Sequence, residues 1–341
     1  MNRDHAPLVV SVIIPTYNRR SSLERTLASL RRQTLDHHRY EVIVVDDGSS
    51  DTSREIESWK APFSFHYIRQ EKKGATAARN YGASRSRGKV LVFVDDDIVI
   101  FPETLEVLAE ECLRQQKSLV MGKIVGPSDL SEVASASPDI PSLLADGVGA
   151  ENGHLHFTQC KTGLLAIRAE AFIALGMLQD PTGGWPNWDD VDLGYRAHRE
   201  GYEVRLASTA VGVHWDESST NLSKTCLRLF EASRSAVRLF ERYPELQPQI
   251  PMFRDKLPID LRTDSFRMIL RKLARQLASS GPVLWVMENM AVILQSRQLP
   301  SDLLSPLHRW IVGGYILRGY RAGLRERRER RNPPRTGQTE A

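Results

Sequence analysis

The sequence of 341 residues predicts an α/β protein with a doubly wound, mostly parallel sheet, followed by a helical carboxy-terminal extension. Over residues 8–125, short and continuously apolar segments alternate with amphipathic ones, which is typical of repeated strand–helix units. Polar, acidic turns follow three of the apolar segments, at the positions where ligands bind in such sheets. After about residue 220 the apolar periodicity becomes that of long helices.

The predicted elements of the sheet follow one another in a regular order. A strand is expected over 8–14 and ended by Pro15, and a helix then opens with the capping pair Ser21 and Glu24. Continuously apolar strands joined by helices are buried on both faces, so parallel pairing is expected. Further strands are predicted at 41–46, 64–69, 89–95 and 118–125, with a weaker helix after the second strand and helices at 74–88 and 103–116.

The segments after residue 125 are less regular. Residues 126–158 lack periodicity and contain glycine, proline and serine, which indicates a long loop or lid. A strand and a helix are expected over 162–176. The pattern as a whole predicts one α/β domain over 1–220, a helical region over 221–331 and a disordered tail over 332–341.

Charge and cysteine content narrow the possible functions. From Arg318 onward, eight arginines and three glutamates give a local charge of +5, whereas the whole chain carries +4. The rest of the chain is therefore close to neutral, which argues against a broad nucleic-acid-binding surface. The three cysteines are far apart and form neither a metal-binding nor a disulfide pattern. With no signal-peptide pattern and no uncharged stretch long enough to span a bilayer, a cytoplasmic protein is expected.

The segment "VFVDDD" is the most informative local feature, because a buried strand runs directly into Asp95, Asp96 and Asp97. Three adjacent carboxylates repel one another unless a positive group neutralises them, so a cation is expected nearby. The alternative is an acidic turn in which one carboxylate caps a helix that begins near Pro102. The turns "PTYN" and "DDGS" follow two other strands at the same edge, which favours a ligand shared by all three turns.

Six segments together resemble the family 2 glycosyltransferases with the GT-A fold, over about residues 8–215. The resemblance implies a metal-dependent, inverting enzyme that moves a sugar from a nucleotide-diphosphate sugar to an acceptor hydroxyl. It further implies a donor-binding half at about 7–125 and an acceptor half at about 126–220. The matching segments are "SVIIPTYNR" (11–19), "EVIVVDDGSSD" (41–51), "GATAARNYGA" (74–83), "VFVDDD" (92–97), "TGLLAIRAEAF" (162–172) and "WDDVDLGYRAHREGY" (188–202).

The acidic turn matches the DxD motif of that family. The resemblance implies that Asp97 binds Mn²⁺ or Mg²⁺ directly, and a hard divalent cation there would stabilise the departing diphosphate. Asp95 is expected to contact the ribose or a metal-bound water, and Asp96 to be solvated or bonded to backbone. His214 lies where related enzymes place a further metal ligand; the alternative is a packed or surface histidine.

The first two turns resemble the nucleotide pocket of the family, which includes Pro15. Tyr17 would stack on the base and Asp47 would accept a hydrogen bond from its ring N–H, with Asp46 as the competing candidate. The alternative is that both aspartates only close a turn by bonding local backbone. Arg79 would donate to the diphosphate, and its alternative is a solvated helix arginine.

The segment "WDDVDL" resembles the acceptor side of the family. An acceptor hydroxyl needs a base, and that role maps to Asp190, whose alternative is the N-cap of a helix. Asp189 stands where the family has glutamate, so its contact is expected to differ. Trp185 and Trp188 would form an apolar platform for sugar rings, or would be ordinary core residues.

The carboxy-terminal helices carry no catalytic motif. Their basic amphipathic pattern and Arg-rich end suit an anionic membrane surface, which would place the protein peripherally on the inner face of the membrane. The alternatives are packing on the catalytic domain and formation of a homodimer. A lipid-linked or cell-envelope saccharide is the expected acceptor. Two rival functions are a nucleotidyltransferase on a similar sheet and a catalytically inactive nucleotide-sugar-binding protein.

Overall fold

A computed structural model describes residues 7–126, 153–180, 188–215, 222–297 and 301–332. The chain divides into a sheet unit, residues 1–180 with 189–216, and a helical unit, residues 181–188 with 217–341. Most of the predicted loop at 126–158 and nearly all of the predicted tail at 332–341 lie outside the described residues.

The sheet unit is built on one mixed sheet. Among the described residues nine strands take part, namely β1 (Val10–Thr16), β2 (Tyr40–Asp46), β3 (Ser64–Arg69), β4 (Val90–Val94), β5 (Ile98–Ile100), β6 (Ser118–Val125), β7 (His154–Leu155), β8 (Leu164–Arg168) and β9 (Glu203–His214). Their order in the sheet is β3–β2–β1–β4–β8–β6–β9–β5, with β7 paired to β9.

The α/β prediction is confirmed, and the sheet is less parallel than predicted. Strands β3, β2, β1 and β4 run parallel, as does β6 with β9. Strand β8, however, lies antiparallel to both β4 and β6, and β5 and β7 lie antiparallel to β9. An apolar run such as that of β8 is the same in either direction, so the local sequence does not reveal this reversal.

The helices lie in both units. Those of the sheet unit are α1 (Arg20–Leu30), α2 (Ala75–Arg85), α3 (Thr104–Arg114), α4 (Ala169–Ala174) and α5 (Asp189–Arg199). Those of the helical unit are α6 (Leu222–Arg242), α7 (Phe266–Ala278), α8 (Gly281–Ser296) and α9 (Ser301–Arg331). The weaker helix predicted before β3 is a 3₁₀ segment, Thr52–Ser58.

Two predicted boundaries at the first turn are wrong. Strand β1 continues through Pro15 to Thr16, because its pairing with β4 ends at Ile13 and the missing proline N–H costs no hydrogen bond on that side. Helix α1 begins at Arg20 without a side-chain cap, and Glu24 accepts a hydrogen bond from Arg20 Nε at 2.9 Å. The capping pair is therefore replaced by an ion pair within the helix.

The short strand β5 positions the acidic turn. It begins at Ile98, directly after Asp97. The alternative interpretation expected a helix to begin near Pro102, but helix α3 begins only at Thr104. In the antiparallel β5–β9 pair, Ile98 lies opposite His214. This pairing brings His214 beside the acidic turn although the two lie far apart in the sequence.

Helix α2 packs closely on β1 because Gly82 has no side chain. A Cβ added at Gly82 would lie 2.6 Å from Ile13 Cγ2 and 3.2 Å from Val45 Cγ2, closer than packed carbon atoms approach. Helix α2 carries Thr76 and Arg79, so this close approach fixes their distance from the strand ends.

The helical unit has its own core, in which α6 and α9 pack against each other. Cys226, Leu284 and Ile311 are buried in one cluster, and Tyr320 packs on Phe253 with ring centroids 5.4 Å apart. The Arg-rich segment is thus part of helix α9 as far as Arg331, with Arg327 Nε 3.0 Å from Glu241 Oε1. Basic charge in this region is partly neutralised by α6.

Candidate active site

The three acidic or polar turns meet in one cleft at the carboxyl ends of β1, β2 and β4, as predicted from the sheet order. Its volume is about 240 Å³. The lining residues are Pro15, Thr16, Tyr17, Arg19, Asp47, Ala75, Arg79, Asp95, Asp96 and Asp97.

A guanidinium group neutralises two of the three adjacent carboxylates. Arg19 Nη1 lies 2.6 Å from Asp97 Oδ2 and 3.1 Å from Asp96 Oδ1. Asp96 is buried and also accepts a hydrogen bond from Thr16 Oγ1 at 2.7 Å, so the expectation of a solvated or backbone-bonded Asp96 is wrong. The positive group that the sequence required is, in this structure, a side chain of the chain itself.

The two neighbouring aspartates differ in pKa. Burial raises the pKa of Asp96 to about 6, against opposing effects of Thr16 and Arg19. Burial acts in the same direction on Asp97, but the hydrogen bond and charge of His214, together with Arg19, hold the pKa of Asp97 below its usual value. Asp97 is therefore the more firmly ionised of the pair near neutral pH.

Asp97 and His214 fit a divalent cation. Asp97 Oδ1 is buried and accepts no hydrogen bond, which leaves one carboxylate oxygen available as a ligand. His214 Nε2 lies 3.4 Å from Asp97 Oδ2. Among the described residues no group of three histidine, cysteine or acidic side chains forms a complete metal cage, so a cation held by these two would need further ligands from a bound substrate or water.

The first two turns hold Tyr17, Asp46 and Asp47 in different ways. Tyr17 is partly exposed at the cleft, and Lys72 Nζ lies 3.8 Å from its ring centroid. Asp46 is fully buried, and its two oxygens accept from Ser49 N at 2.8 Å and from Tyr67 Oη at 2.5 Å. Its oxygens already have protein partners, which makes it a poor candidate for contact with a nucleotide base.

Asp47 lines the cleft and joins the second turn to helix α2. Its oxygens accept hydrogen bonds from Gln70 Nε2 at 2.7 Å, Lys73 N at 2.7 Å and Gly74 N at 2.8 Å. These bonds span more than twenty residues, so Asp47 does more than close its own turn. They hold the backbone that leads into α2 against the end of β2.

Arg79 connects the two acidic segments. Its Nη2 lies 2.5 Å from Asp95 Oδ1, and its Nη1 lies 3.8 Å from Asp189 Oδ2. Asp189 Oδ2 also accepts from Thr76 Oγ1 at 2.8 Å. Arg79 is buried, which excludes the alternative of a solvated helix arginine. The side chains of α2 thus place the segment that contains Asp189 and Asp190 beside the acidic turn.

Asp190 lies in the first turn of α5, close to a lysine. Lys161 Nζ is 3.2 Å from Asp190 Oδ2, and Asp190 Oδ1 accepts from Val191 N at 2.8 Å. Burial raises the pKa of Asp190, Lys161 opposes that shift and Asp189 adds to it. A carboxylate with a raised pKa is better suited to take up a proton than an ordinary aspartate.

Of the two tryptophans predicted to form a platform for sugar rings, Trp188 takes a different position. Trp188 is buried in the helical unit, and its Nε1 donates to Ala232 O at 2.8 Å. The ring has little exposed surface for stacking on a sugar, so the core alternative fits Trp188. Trp185 lies outside the described residues.

Three polar residues of the cleft region were missed from the sequence. Arg19 ends the quoted segment "SVIIPTYNR", and its position two residues after Tyr17 was the available signal. Lys161 precedes "TGLLAIRAEAF" and Thr76 lies within "GATAARNYGA", but neither had a local pattern that marked it. Their roles depend on contacts with Asp190 and Asp189, which only the fold brings near.

Comparison with known proteins points to one family. Residues 11–155 match the family model "Glycosyl transferase family 2". Validoxylamine A glucosyltransferase of Streptomyces hygroscopicus subsp. jinggangensis is 28% identical over 273 residues, which cover 72% of this chain and 63% of the relative. The poly(ribitol-phosphate) β-N-acetylglucosaminyltransferase TarP of Staphylococcus aureus is 32% identical over 117 residues, covering 33% of this chain and 36% of TarP.

A solved structure supports the fold. The mannosyltransferase PcManGT from Pyrobaculum calidifontis, in complex with GDP-Man and Mn²⁺, superposes with a TM-score of 0.60 at 18% identity. The match covers 95% of this chain and 90% of that structure. The family model covers four of the six quoted segments, those between residues 11 and 97. Residues 11–155 are therefore similar to glycosyl transferase family 2, and the chain has a fold of the GT-A type.

Proposed function

We propose that the protein is a metal-dependent, inverting glycosyltransferase that transfers a sugar from a nucleotide-diphosphate sugar to an acceptor hydroxyl. The observation that carries this proposal is the position of Arg79, 2.5 Å from Asp95 and 3.8 Å from Asp189. It joins a segment suited to an anionic donor with a segment that holds a carboxylate of raised pKa. The groups that would bind the donor and the carboxylate that would activate the acceptor are thereby held close to each other.

On the donor side, Asp97 and His214 would hold Mn²⁺ or Mg²⁺. When bound, such a cation neutralises the charge that develops on the leaving diphosphate. Arg79 is positioned to donate to the same diphosphate, and Tyr17 offers a partly exposed ring for the base. Asp47 is already bonded to the backbone before α2, so its role in binding the base would use its remaining acceptor capacity.

On the acceptor side, Asp190 would act as general base. The acceptor O–H gives its proton to an Asp190 oxygen, and the acceptor oxygen then forms a bond to the anomeric carbon. The bond from that carbon to the diphosphate oxygen breaks as the new bond forms, and the nucleotide diphosphate leaves. A single displacement of this kind inverts the configuration at the anomeric carbon.

The proposed acceptor is a lipid-linked or other cell-envelope saccharide, reached from the inner face of the membrane. Support comes from TarP, whose name gives poly(ribitol-phosphate) as its acceptor, and from the basic carboxy-terminal part of helix α9. The polymer in the name of TarP and the proposed lipid-linked saccharide both carry several hydroxyl groups. Such a hydroxyl is the group that Asp190 would deprotonate.

The proposal is tested by incubating the full chain with a panel of nucleotide-diphosphate sugars and Mn²⁺. Release of nucleotide diphosphate that depends on both the cation and an added saccharide acceptor is the expected result. Release of pyrophosphate from a nucleotide triphosphate and a sugar phosphate would instead identify a nucleotidyltransferase. Donor binding without release, with any acceptor of the panel, would contradict the proposed transfer and leave a binding protein.

A further inference from the structure

Helix α7 exposes an apolar face and buries two basic side chains on the opposite face. Phe266 is 76% exposed and Leu277 is 67% exposed, and Leu270 and Leu273 are exposed on the same face. Lys272 and Arg275, on the opposite face, are buried. A surface helix of a globular protein normally has the reverse arrangement, with its apolar stripe toward the core.

Specific contacts hold the charged face inward. Lys272 Nζ lies 2.5 Å from Asp264 Oδ2, and Arg275 Nη2 lies 3.3 Å from the buried Asp255. The Arg275 guanidinium also stacks on Trp310, 4.2 Å from its ring centroid. Turning the helix to bury its leucines would separate Lys272 from Asp264 and Arg275 from Asp255, and the buried Asp255 carboxylate would lose a cationic partner, which is unfavourable. The outward apolar face is therefore a fixed feature of the helical unit.

Helix α8, which begins three residues after the end of α7, also exposes apolar side chains. Trp285 is 65% exposed, and Val286, Val292 and Ile293 are exposed beside it. Its acidic residue Glu288 instead accepts a hydrogen bond from Tyr315 Oη at 2.7 Å. In the described part of the chain no single helix is long and apolar enough to cross a membrane, although α7 and α8, which meet at 82°, reach that length and composition as a bent pair.

The exposed charged side chains within residues 266–297 are basic. Glu288 is the sole acidic residue of this range, whereas Arg267, Arg271 and Arg297 are exposed, and of these Arg271 is paired with Asp255 at 3.1 Å. Apolar side chains surrounded by arginines are complementary to a bilayer interface that carries anionic headgroups. In a two-fold dimer through the same face, equivalent patches meet each other, so these arginines would gather positive charge at the contact.

We propose that the outward face of α7 and α8 docks on an anionic membrane, with its apolar side chains in the interfacial region and its arginines at the headgroups. The docking face comprises Phe266, Leu270, Leu273, Leu277, Trp285, Val286, Val292 and Ile293. This assignment does not depend on the proposed sugar transfer, because it is carried by the helical unit alone. It gives a physical place for the membrane association that a lipid-linked acceptor requires.

The test is co-sedimentation of the full chain with vesicles of phosphatidylcholine, alone or with phosphatidylglycerol. The wild type is expected to bind the anionic vesicles more tightly, with a blue shift of tryptophan emission that Trp285→Phe reduces. The double variant Leu277→Ser with Trp285→Ser should lose at least tenfold in vesicle affinity. Both side chains are exposed, so folding is expected to be retained. Ile173→Ser is the matched control, since Ile173 is 66% exposed in the sheet unit.

A second pair of substitutions tests the electrostatic part. Arg267→Gln with Arg297→Gln should reduce the preference for anionic vesicles. Unchanged vesicle binding in the leucine–tryptophan double variant would overturn the proposal. So would a wild-type dimer in the absence of vesicles that becomes monomeric in that variant, because the face would then bind a second copy. Sugar transfer to a water-soluble acceptor, measured in parallel, shows whether the reaction itself is intact.

Discussion

Arg19 shows how one side chain can determine what the acidic turn binds. Its guanidinium contacts Asp96 and Asp97, whose negative charges a bound cation would otherwise neutralise. Arg19 is nevertheless partly exposed, and Asp97 Oδ1 accepts no hydrogen bond. A bound metal at Asp97 would therefore share or displace the Arg19 contact, rather than enter a site without positive charge.

Asp97→Asn is expected to weaken metal-dependent binding of a nucleotide diphosphate at least about tenfold, because one charge close to the cation is lost while the side-chain volume is kept. Arg19→Met should act in the opposite direction and tighten Mn²⁺ binding, since it removes the competing guanidinium. Titration calorimetry with nucleotide diphosphate and Mn²⁺ measures both. Equal affinities for wild type and Asp97→Asn would show that Asp97 does not bind the metal.

Lys161→Met tests the pKa of the proposed base. A general base works only when it is deprotonated, so turnover falls as the pH drops below its pKa. Burial raises the pKa of Asp190 and the Lys161 charge opposes that shift, so removing the charge should move the acidic limb of the rate profile to higher pH. Lys161→Arg keeps the charge and should keep the limb in place.

The pH dependence of kcat at saturating donor and acceptor is the quantity to measure for these two variants. An acidic limb that stays at the same pH in Lys161→Met would show that another group titrates. A loss of turnover that is equal at every pH would assign Lys161 a role other than setting that pKa.

At the scale of elements, the sequence predicted what depends on local pattern and missed what depends on distant pairing. The bounds of β3 and β6 agree with the predicted 64–69 and 118–125, because their apolar runs are flanked by polar residues. Strand β5 was missed, since three residues that pair with β9 carry too short a pattern. The reversed direction of β8 was missed for the physical reason that burial on both faces is the same in either direction.

The same division holds for the candidate site. The positions of Asp95, Asp96 and Asp97 at a strand end follow from the apolar run before them. The burial of Trp188 in the helical unit does not, because an aromatic residue beside an acidic segment suits a sugar platform and a core equally. The roles of Arg19 and Lys161 could not be predicted from the sequence, because they depend on which carboxylates these side chains reach in the fold.

Gly82→Ala is expected to destabilise the protein by about 1–3 kcal/mol, the usual effect of an added methyl group in a packed interior. The new Cβ would lie 2.6 Å from Ile13 Cγ2, so α2 must move away from β1 and carry Arg79 with it. Urea unfolding measures the change, and donor affinity should fall at the same time. Ser84→Ala, at an exposed position of the same helix, is the control.

An unfolding midpoint in Gly82→Ala that matches the wild type would show that the strand accommodates the methyl group. Unchanged donor affinity in a destabilised variant would separate the packing of α2 from the position of Arg79.

At the scale of the whole molecule, the two units differ in chemistry. The sheet unit brings the acidic turn, Arg79 and the segment of Asp189 together at the carboxyl ends of its parallel strands. The helical unit has a separate core and carries the exposed apolar face of α7 and α8. Helix α9 packs through Tyr320, so removal of the chain from Arg318 onward would also remove part of this core. Single-residue changes on exposed faces are therefore the better test of each unit.

In the proposed reaction, the acidic turn binds the donor and Asp190 activates the acceptor. The most direct measurement compares Asp190→Asn with wild type for sugar-transfer rate at saturating substrates and for donor affinity by titration. The rate is expected to fall by about two to four orders of magnitude, the usual effect of losing a positioned base, with donor affinity nearly unchanged. Glu170→Gln, an exposed carboxylate of α4, should change neither quantity. Turnover of Asp190→Asn within about threefold of wild type would contradict the assignment of the base, and the role would pass to Asp189.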